Sequence, residues 1–402
     1  MRPCLPVAPP LALVIALLSF ATSAWPGERA ATPVVTTEAA PGAEVPAPEA
    51  SPEAQPPAKP ENKVKFQGLV DTYYAYNFNR PREGASFLPG TGSSAKRHNE
   101  FGLNLASIDL ALDPDPVGVR LILAAGSGAD VVHSAEPSGD GIGREVWRHV
   151  QQASIAYKTG LGRGLLLEAG IFPCHAGFEA FPSKDNWNYT RSWLGEFSPY
   201  YVSGIKGTYS FNDHWSAQLH LLNGWQTIGE TNHSKTVGTQ LAWSGKRLSL
   251  SFNTLLGHEL PGDDREWRAY GDLVLVYKLS DRWSLGASVD AAREGRAGGE
   301  DVSWRAAAGY ARYAQPGARW AVAFRGEVFD DPHAGITGYA QRLSEGTATL
   351  ELRPADRLIL KLEGRYDHSD HAVFEGAAEG PDRGRVLKNN QALLAVGAVV
   401  TF

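Results

Sequence analysis

From Gln391 to Phe402 every second side chain is apolar: Ala392, Leu394, Val396, Ala398, Val400 and Phe402. Side chains two residues apart share one face of a β-strand, so this run writes a strand with a continuous oily face. Comparable alternation recurs from about Lys65 onward. It restricts the chain to an all-β fold, and an aromatic residue ending the final strand points to a transmembrane antiparallel barrel of the bacterial outer membrane.

The charges indicate what lies on each side of the strands. Between Arg357 and His368, one parity holds Leu358, Leu360, Leu362, Gly364 and Tyr366, and the other holds Ile359, Lys361, Glu363, Arg365 and Asp367. A Lys or Arg facing lipid at mid-depth costs about 2 to 4 kcal/mol, so the charged parity is expected to face a polar lumen. The same rule turns Leu273, Leu275 and Tyr277 outward with Asp272 and Lys278 inward. It also turns Trp320, Val322, Phe324 and Val328 outward with Arg325 and Glu327 inward. The expected lumen lining is therefore Lys206, Asp272, Arg325, Glu327, Lys361, Glu363 and Arg365, and a lumen so lined is expected to be wet. One strand breaks the pattern: between Phe101 and Leu112 the parity slips near Ala106-Ser107, which predicts a bulge or a misplaced strand boundary there.

The N-terminus fits export. Arg2 precedes an apolar run from Leu11 to Phe20 and small residues at Thr22, Ser23 and Ala24, so residues 1–24 read as a signal peptide cleaved after Ala24. Residues 25–62 are rich in Pro, Ala and Glu and nearly free of aromatics; such a segment cannot bury enough apolar surface to order itself and reads as a disordered periplasmic tail. No later stretch has the eighteen or so consecutive apolar residues of a membrane helix. The barrel domain is assigned to 63–402.

Within that domain about sixteen strand-like segments alternate between tight and long connections. The tight ones carry turn chemistry, among them Asp113-Pro114-Asp115-Pro116, Asn212-Asp213, Ser280-Asp281 and Gln315-Pro316-Gly317. The long ones fall near 80–98, 130–148, 173–199, 225–235, 259–266, 294–301, 331–341 and 369–388. Short periplasmic turns and long external loops are the asymmetry of a bacterial barrel, whose strand number is even. Trp215, Trp243, Tyr277, Trp283, Tyr313 and Trp320 flank successive short turns, where an aromatic girdle would meet the membrane interface.

Composition excludes some functions. The net charge is −6 with no basic block, so nucleic acid is not an expected partner. After the signal peptide Cys174 is the lone cysteine, so no intrachain disulfide can form. Catalytic signals are weak. Ser203 and Lys206 match Ser-x-x-Lys, but in a strand their side chains point to opposite faces. Cys174-His175 lacks an orienting third group. Asp367, His368, Asp370 and His371 have metal-ligand chemistry without a partner motif and read as a solvated loop base. No cofactor, metal or catalytic residue is expected.

The segment 173–199 is the candidate functional element. It mixes Phe178, Phe181, Trp187, Tyr189, Trp193 and Phe197 with charges of both signs. So many large rings are not expected to stand free in water, which predicts a long third loop folded inward against the barrel wall. Its expected constriction residues are Glu179, Lys184, Asp185, Asn186, Trp187, Asn188, Tyr189, Arg191 and Glu196. Acidic and basic groups facing each other across a narrow water path would filter ions.

Lys184-Asp185-Asn186-Trp187-Asn188-Tyr189-Thr190-Arg191-Ser192, then Pro199-Tyr200-Tyr201 and Gly204-Ile205-Lys206, resembles the centre of the OmpL-like β-barrel porin family. Phe66-Gln67-Gly68-Leu69-Val70-Asp71-Thr72-Tyr73-Tyr74 is similar to that family's opening strand. Thr190 replaces a Ser, and Val202-Ser203 replaces a His-Thr pair. The resemblance implies an outer-membrane channel for passive diffusion of small hydrophilic solutes or ions, and it carries over no catalytic residue. A substrate-specific channel and a plugged structural or adhesive barrel are the alternatives. Expected partners are outer-membrane lipids, small solutes, the barrel assembly machinery through the strand ending at Phe402, and two further copies in a homotrimer, with Ala306 and Ala308 on the outer wall.

Overall fold

The computed structural model describes residues 63–137, 143–377 and 386–402. The signal peptide at 1–24 and the Pro-rich tail at 25–62 lie outside the described residues.

Sixteen strands close into one antiparallel barrel. In chain order they are β1 (Lys65–Asn77), β2 (Glu100–Leu112), β3 (Val117–Ala125), β4 (Val150–Lys158), β5 (Leu166–Pro173), β6 (Tyr201–Ser210), β7 (Trp215–Leu222) and β8 (Thr236–Ser244). There follow β9 (Leu248–His258), β10 (Trp267–Lys278), β11 (Trp283–Glu294), β12 (Val302–Ala314), β13 (Trp320–Asp331), β14 (Gln341–Ala355), β15 (Leu358–Ser369) and, after a two-stranded hairpin of β16 (Phe374–Glu375) and β17 (Leu387–Lys388), the final strand β18 (Asn390–Thr401). Each barrel strand pairs with its neighbours in sequence, and β1 closes onto β18 from Leu69↔Thr401 to Asn77↔Leu393. Closure leaves no strand edge unpaired, the condition for placing a sheet in hydrocarbon.

The seam is locked by the last residue. Gly68 N–H donates to Phe402 C=O at 2.8 Å and Phe402 N–H donates back to Gly68 C=O at 3.1 Å. A Cβ on Gly68 would sit 2.2 Å from the Phe402 ring, so that ring lies where only glycine leaves room. At the short-turn end the aromatics pair outside the wall: Trp283 with Tyr313 at 5.1 Å between ring centroids, and Tyr313 with Trp320 at 5.7 Å.

The parity rule holds. On β15, Leu362 and Tyr366 are exposed, while Lys361, Glu363, Arg365 and Asp367 are buried in the interior. Phe324 and Val328 face out and Arg325 and Glu327 face in. Two expectations need correction. Ala306 and Ala308 are buried inside, at the same parity as Trp304 and Tyr310, and it is Ala307 and Gly309 that face outward. The alanines of β12 made its parity unreadable from hydropathy alone. The bulge falls at Asn104: the register with β1 shifts so that Asp71 pairs with Leu105 and Thr72 with Leu103. Asn104 and Leu105 are therefore both buried in succession, and Asn104 Nδ2 donates to Asp71 at 2.9 Å.

The long connections, termed L1 to L8, run 78–99, 126–149, 174–200, 223–235, 259–266, 295–301, 332–340 and 370–389. They lie within a few residues of the expected positions.

Candidate functional site: a third loop held inside the wall

L3 leaves β5 at Pro173 and returns at Tyr201, and between them it touches inward-facing side chains of β1, β7, β8 and β10 to β15 and a backbone carbonyl of β9. Such contacts require the loop to lie inside the barrel. His175 Nε2 lies 3.1 Å from Thr254 C=O on β9. Gly177 N–H donates to Asp272 on β10 at 2.8 Å, and Ser198 Oγ donates to Asp290 on β11 at 2.8 Å. Trp193 and Leu194 N–H both donate to Glu327 on β13, the latter at 3.1 Å. Asn188 Nδ2 donates to Thr349 Oγ1 on β14 at 2.8 Å.

The strongest anchors are charges. Glu363 on β15 accepts from the N–H groups of Tyr189 and Thr190 and from the hydroxyls of Thr190 and Thr349. Two residues along the same face, Lys361 Nζ donates to the carbonyls of Ser183, Asn186 and Asn188. On the other side of Glu363, two residues away, Arg365 donates to Arg191 C=O and pairs with Asp367 at 2.7 Å. Arg325 bridges Glu345 on the wall at 2.7 Å and Glu179 on the loop at 2.8 Å. Period-two spacing thus presents a column of charges that irregular loop backbone can use. With no regular ladder of its own, the loop takes its hydrogen bonds from the wall.

Aromatic packing completes the fit. Tyr189 donates to Asp71 at 2.8 Å on the opposite side of the β1–β18 seam, and its ring covers Gly397, where a Cβ would come within 2.3 Å. Phe178 packs at a tilt against Tyr310 with 4.1 Å between ring centroids, and Trp187 meets Phe178 edge-on at 5.3 Å.

The expected site residues therefore separate into two groups. Glu179, Tyr189 and Arg191 are buried; Asn188 is tied to the wall and Asn186 braces Ala180 through both its amide atoms. Arg191 donates to the carbonyls of Ala180 and Phe181 and to Ser94 Oγ, and its guanidinium lies 5.9 Å from the rings of Phe181 and Tyr200. Lys184 and Asp185 pair with each other at 2.7 Å and keep about a third of their side-chain surface in water, 34% and 36%. Among the expected lumen residues, Lys361, Glu363, Arg365, Arg325, Glu327 and Asp272 do face inward, but the loop covers them and they are almost fully buried. Lys206 stays partly exposed, paired with Glu168 at 2.8 Å.

Sequence reasoning missed the part played by L1. Ser86, Leu88, Thr91, Ser93, Ser94 and Ala95 are all buried. Glu196 of L3 accepts from the N–H of Gly92 and the N–H and hydroxyl of Ser93 at 3.0, 2.9 and 2.7 Å. Phe87 packs edge-on against Trp193 at 6.0 Å, with the Arg365 guanidinium 4.8 Å from the Phe87 ring. Lys96 Nζ donates to the carbonyls of Leu88 and Thr91, and burial pulls its pKa down from 10.5 to about 8 although Glu196 opposes the shift. The available signal was the small polar run Thr91-Gly92-Ser93-Ser94-Ala95, which suits close backbone packing better than a solvated tip.

The described residues hold no group of three or more His, Cys, Asp or Glu side chains placed to bind a metal. Asp367 is taken up by Arg365, and His371 pairs with Asp370 at 2.9 Å.

Comparison with known proteins matches residues 63–402 to the family described as "Putative beta-barrel porin-2, OmpL-like". Curated proteins give no match. Among solved structures, OmpF of Salmonella typhi in complex with daunomycin superposes with a TM-score of 0.58 at 11% identity, covering 85% of this chain and 98% of that one. An anion-selective porin from Comamonas acidovorans gives 0.55 at 14%, covering 85% and 100%. The outer membrane channel DcaP of Acinetobacter baumannii gives 0.53 at 12%, covering 84% and 97%. At these identities the likeness is one of fold.

Proposed function

This chain belongs to the OmpL-like β-barrel porin-2 family, and on that premise we propose how its interior governs the passive diffusion of small hydrophilic solutes or ions. The protein is an outer-membrane porin of the Gram-negative type, with lipid outside the wall and a polar path within. The carrying observation is the division of the inward charges. Those at the level of L3 hold the loop, while Lys184–Asp185 and Lys206–Glu168 remain at water-accessible surfaces as opposed pairs. Ion pairs at the edge of a water path present fixed dipoles that orient polar solutes without binding them tightly, and that permits exit as well as entry. Lys184 and Asp185 are the part of L3 proposed to meet solute; Glu179, Arg191 and Glu196 are the part proposed to hold it in place. The porin family and barrel fold favour this channel reading over a catalytic one.

Planar-bilayer recording of the purified protein tests the reading. Stable stepwise conductance is expected, and silence from correctly folded protein would refute it. A plugged structural barrel is the second reading, favoured by the apolar packing of Phe87, Leu88, Phe178, Trp193, Leu194 and Phe374 inside the mouth. Liposome swelling with sugars of graded size separates the two. Recognition of the strand ending at Phe402 by the assembly machinery, and a homotrimer, also belong to this proposal; apparent mass in mild detergent tests the trimer.

A further inference from the structure

Below L3, towards the short-turn end, the wall charges are not evenly matched. On the β2–β6 side two cations have a carboxylate each: Arg120 with Asp109 at 2.8 Å, and Lys206 with Glu168 at 2.8 Å. Across the barrel two arginines share one, with a lysine that also faces Glu363 standing near it. Glu351 on β14 accepts from Arg312 of β12 at 3.1 Å and from Arg353 of its own strand at 2.9 Å, both on Oε1, while Lys361 of β15 stands 3.9 Å from Oε2.

The strand between them makes this possible. Arg312 reaches Glu351 across β13, whose inward positions there are Ala321 and Ala323; Ala321 pairs with Glu351 and Ala323 with Arg312. Both alanines are 2% exposed. Larger side chains at those positions would block the reach. Glu351 is buried, whereas the side chains of Arg312 and Arg353 keep 26% and 45% of their surface in water. Each guanidinium has five N–H donors, and Glu351 Oε1 takes one from each, so both retain donors for a further acceptor. Lys361 is committed to L3 carbonyls and its charge is offset by the neighbouring Glu363, so the excess at this spot is that of the two arginines over Glu351.

We propose that Arg312 and Arg353, sharing the single carboxylate of Glu351, form a docking patch for small oxyanions such as phosphate or carboxylate groups, and that the path favours anions over cations. Planar oxygens suit paired guanidinium donors, and a surplus of fixed positive charge in a wall of low dielectric concentrates anions beside it. The inference rests on the diffusion reading for its consequence to permeation, but the patch itself can be measured without conduction.

The direct test is phosphorus NMR line broadening of inorganic phosphate by the folded protein in detergent at low ionic strength, with heat-modifiable gel migration as the check on folding. Broadening by wild type is expected, with binding weakened about ten-fold or more in the double variant Arg312→Gln/Arg353→Gln, which removes charge-assisted donors. Glu351→Gln should strengthen it, because the carboxylate competes for the same donors. Absence of broadening by wild type, or equal broadening by the double variant, would overturn the proposal. Reversal potentials in a potassium chloride gradient give the second readout: an anion preference lost in the double variant supports the patch, and an unchanged potential counts against it. A barrel that shows no conductance at all defeats the diffusion reading, and the phosphate titration still decides the patch.

Discussion

At the scale of single residues, the interior is held by groups whose removal strands several partners at once. Glu363 is the clearest case. Glu363→Ala leaves the N–H groups of Tyr189 and Thr190 without their acceptor, and a buried donor left unpaired costs roughly 1 to 3 kcal/mol. We expect a lower unfolding midpoint in detergent and a larger, noisier unitary conductance; unchanged values would show that L3 is fixed elsewhere. Lys96 offers a test by pH. Burial holds its pKa at about 8 against an ordinary 10.5, so between those values the unfolded chain binds a proton that the folded one has lost. Stability should therefore rise across that window, since the cost of burying the charge is present below it and disappears above it. Wild type should gain on Lys96→Met between pH 7.5 and 10, read as the difference in unfolding midpoint; a flat difference contradicts the assignment. These residue-level roles were only partly legible beforehand. Parity put Lys361, Glu363 and Arg365 inside, but hydropathy cannot say whether an inward charge meets water or a loop.

At the scale of elements, strands were readable and loops were not, for a physical reason. A strand's two faces are written into alternate positions, so β13 and β15 declare their orientation by themselves. β12 could not, because Ala306, Ala307 and Ala308 occupy both faces and small apolar residues tolerate either environment. Loops contact residues far away in sequence, and the pairing of L1 with L3 through Glu196 and Ser93 spans 103 positions. The aromatic content of L3 announced burial, whereas nothing comparable marked L1. That contact can be tested by Glu196→Gln, which removes the charge accepting from Gly92 and Ser93 and should loosen L1 by about 1 to 3 kcal/mol. Limited proteolysis should then cut within L1 several-fold faster than in wild type, with the barrel core intact. Equal rates would mean that Phe87 and Leu88 alone secure it.

At the scale of the whole molecule, one arrangement accounts for the alternation, the inward charges and the closure by Phe402: a sealed cylinder with hydrocarbon outside and a polar, loop-filled interior. Strand number and loop asymmetry were legible because turn-rich short connections alternate with long polar ones, and an up-and-down barrel with both ends on the short-turn side has an even count. The bore was not legible, since it depends on how L1 and L3 pack. The sharpest test of the cylinder uses β18, where both faces are apolar, so polarity cannot imitate location: Leu394, Val396, Ala398 and Val400 face out while Leu393, Ala395 and Val399 are buried within. Single nitroxide labels at these positions, placed in a Cys174→Ser background and reconstituted in lipid vesicles, report contact with dissolved oxygen, which concentrates in hydrocarbon. Oxygen accessibility is expected to alternate with a period of two, high at 394, 396, 398 and 400 and low at 393, 395 and 399. A flat profile, or one of opposite phase, would contradict the account.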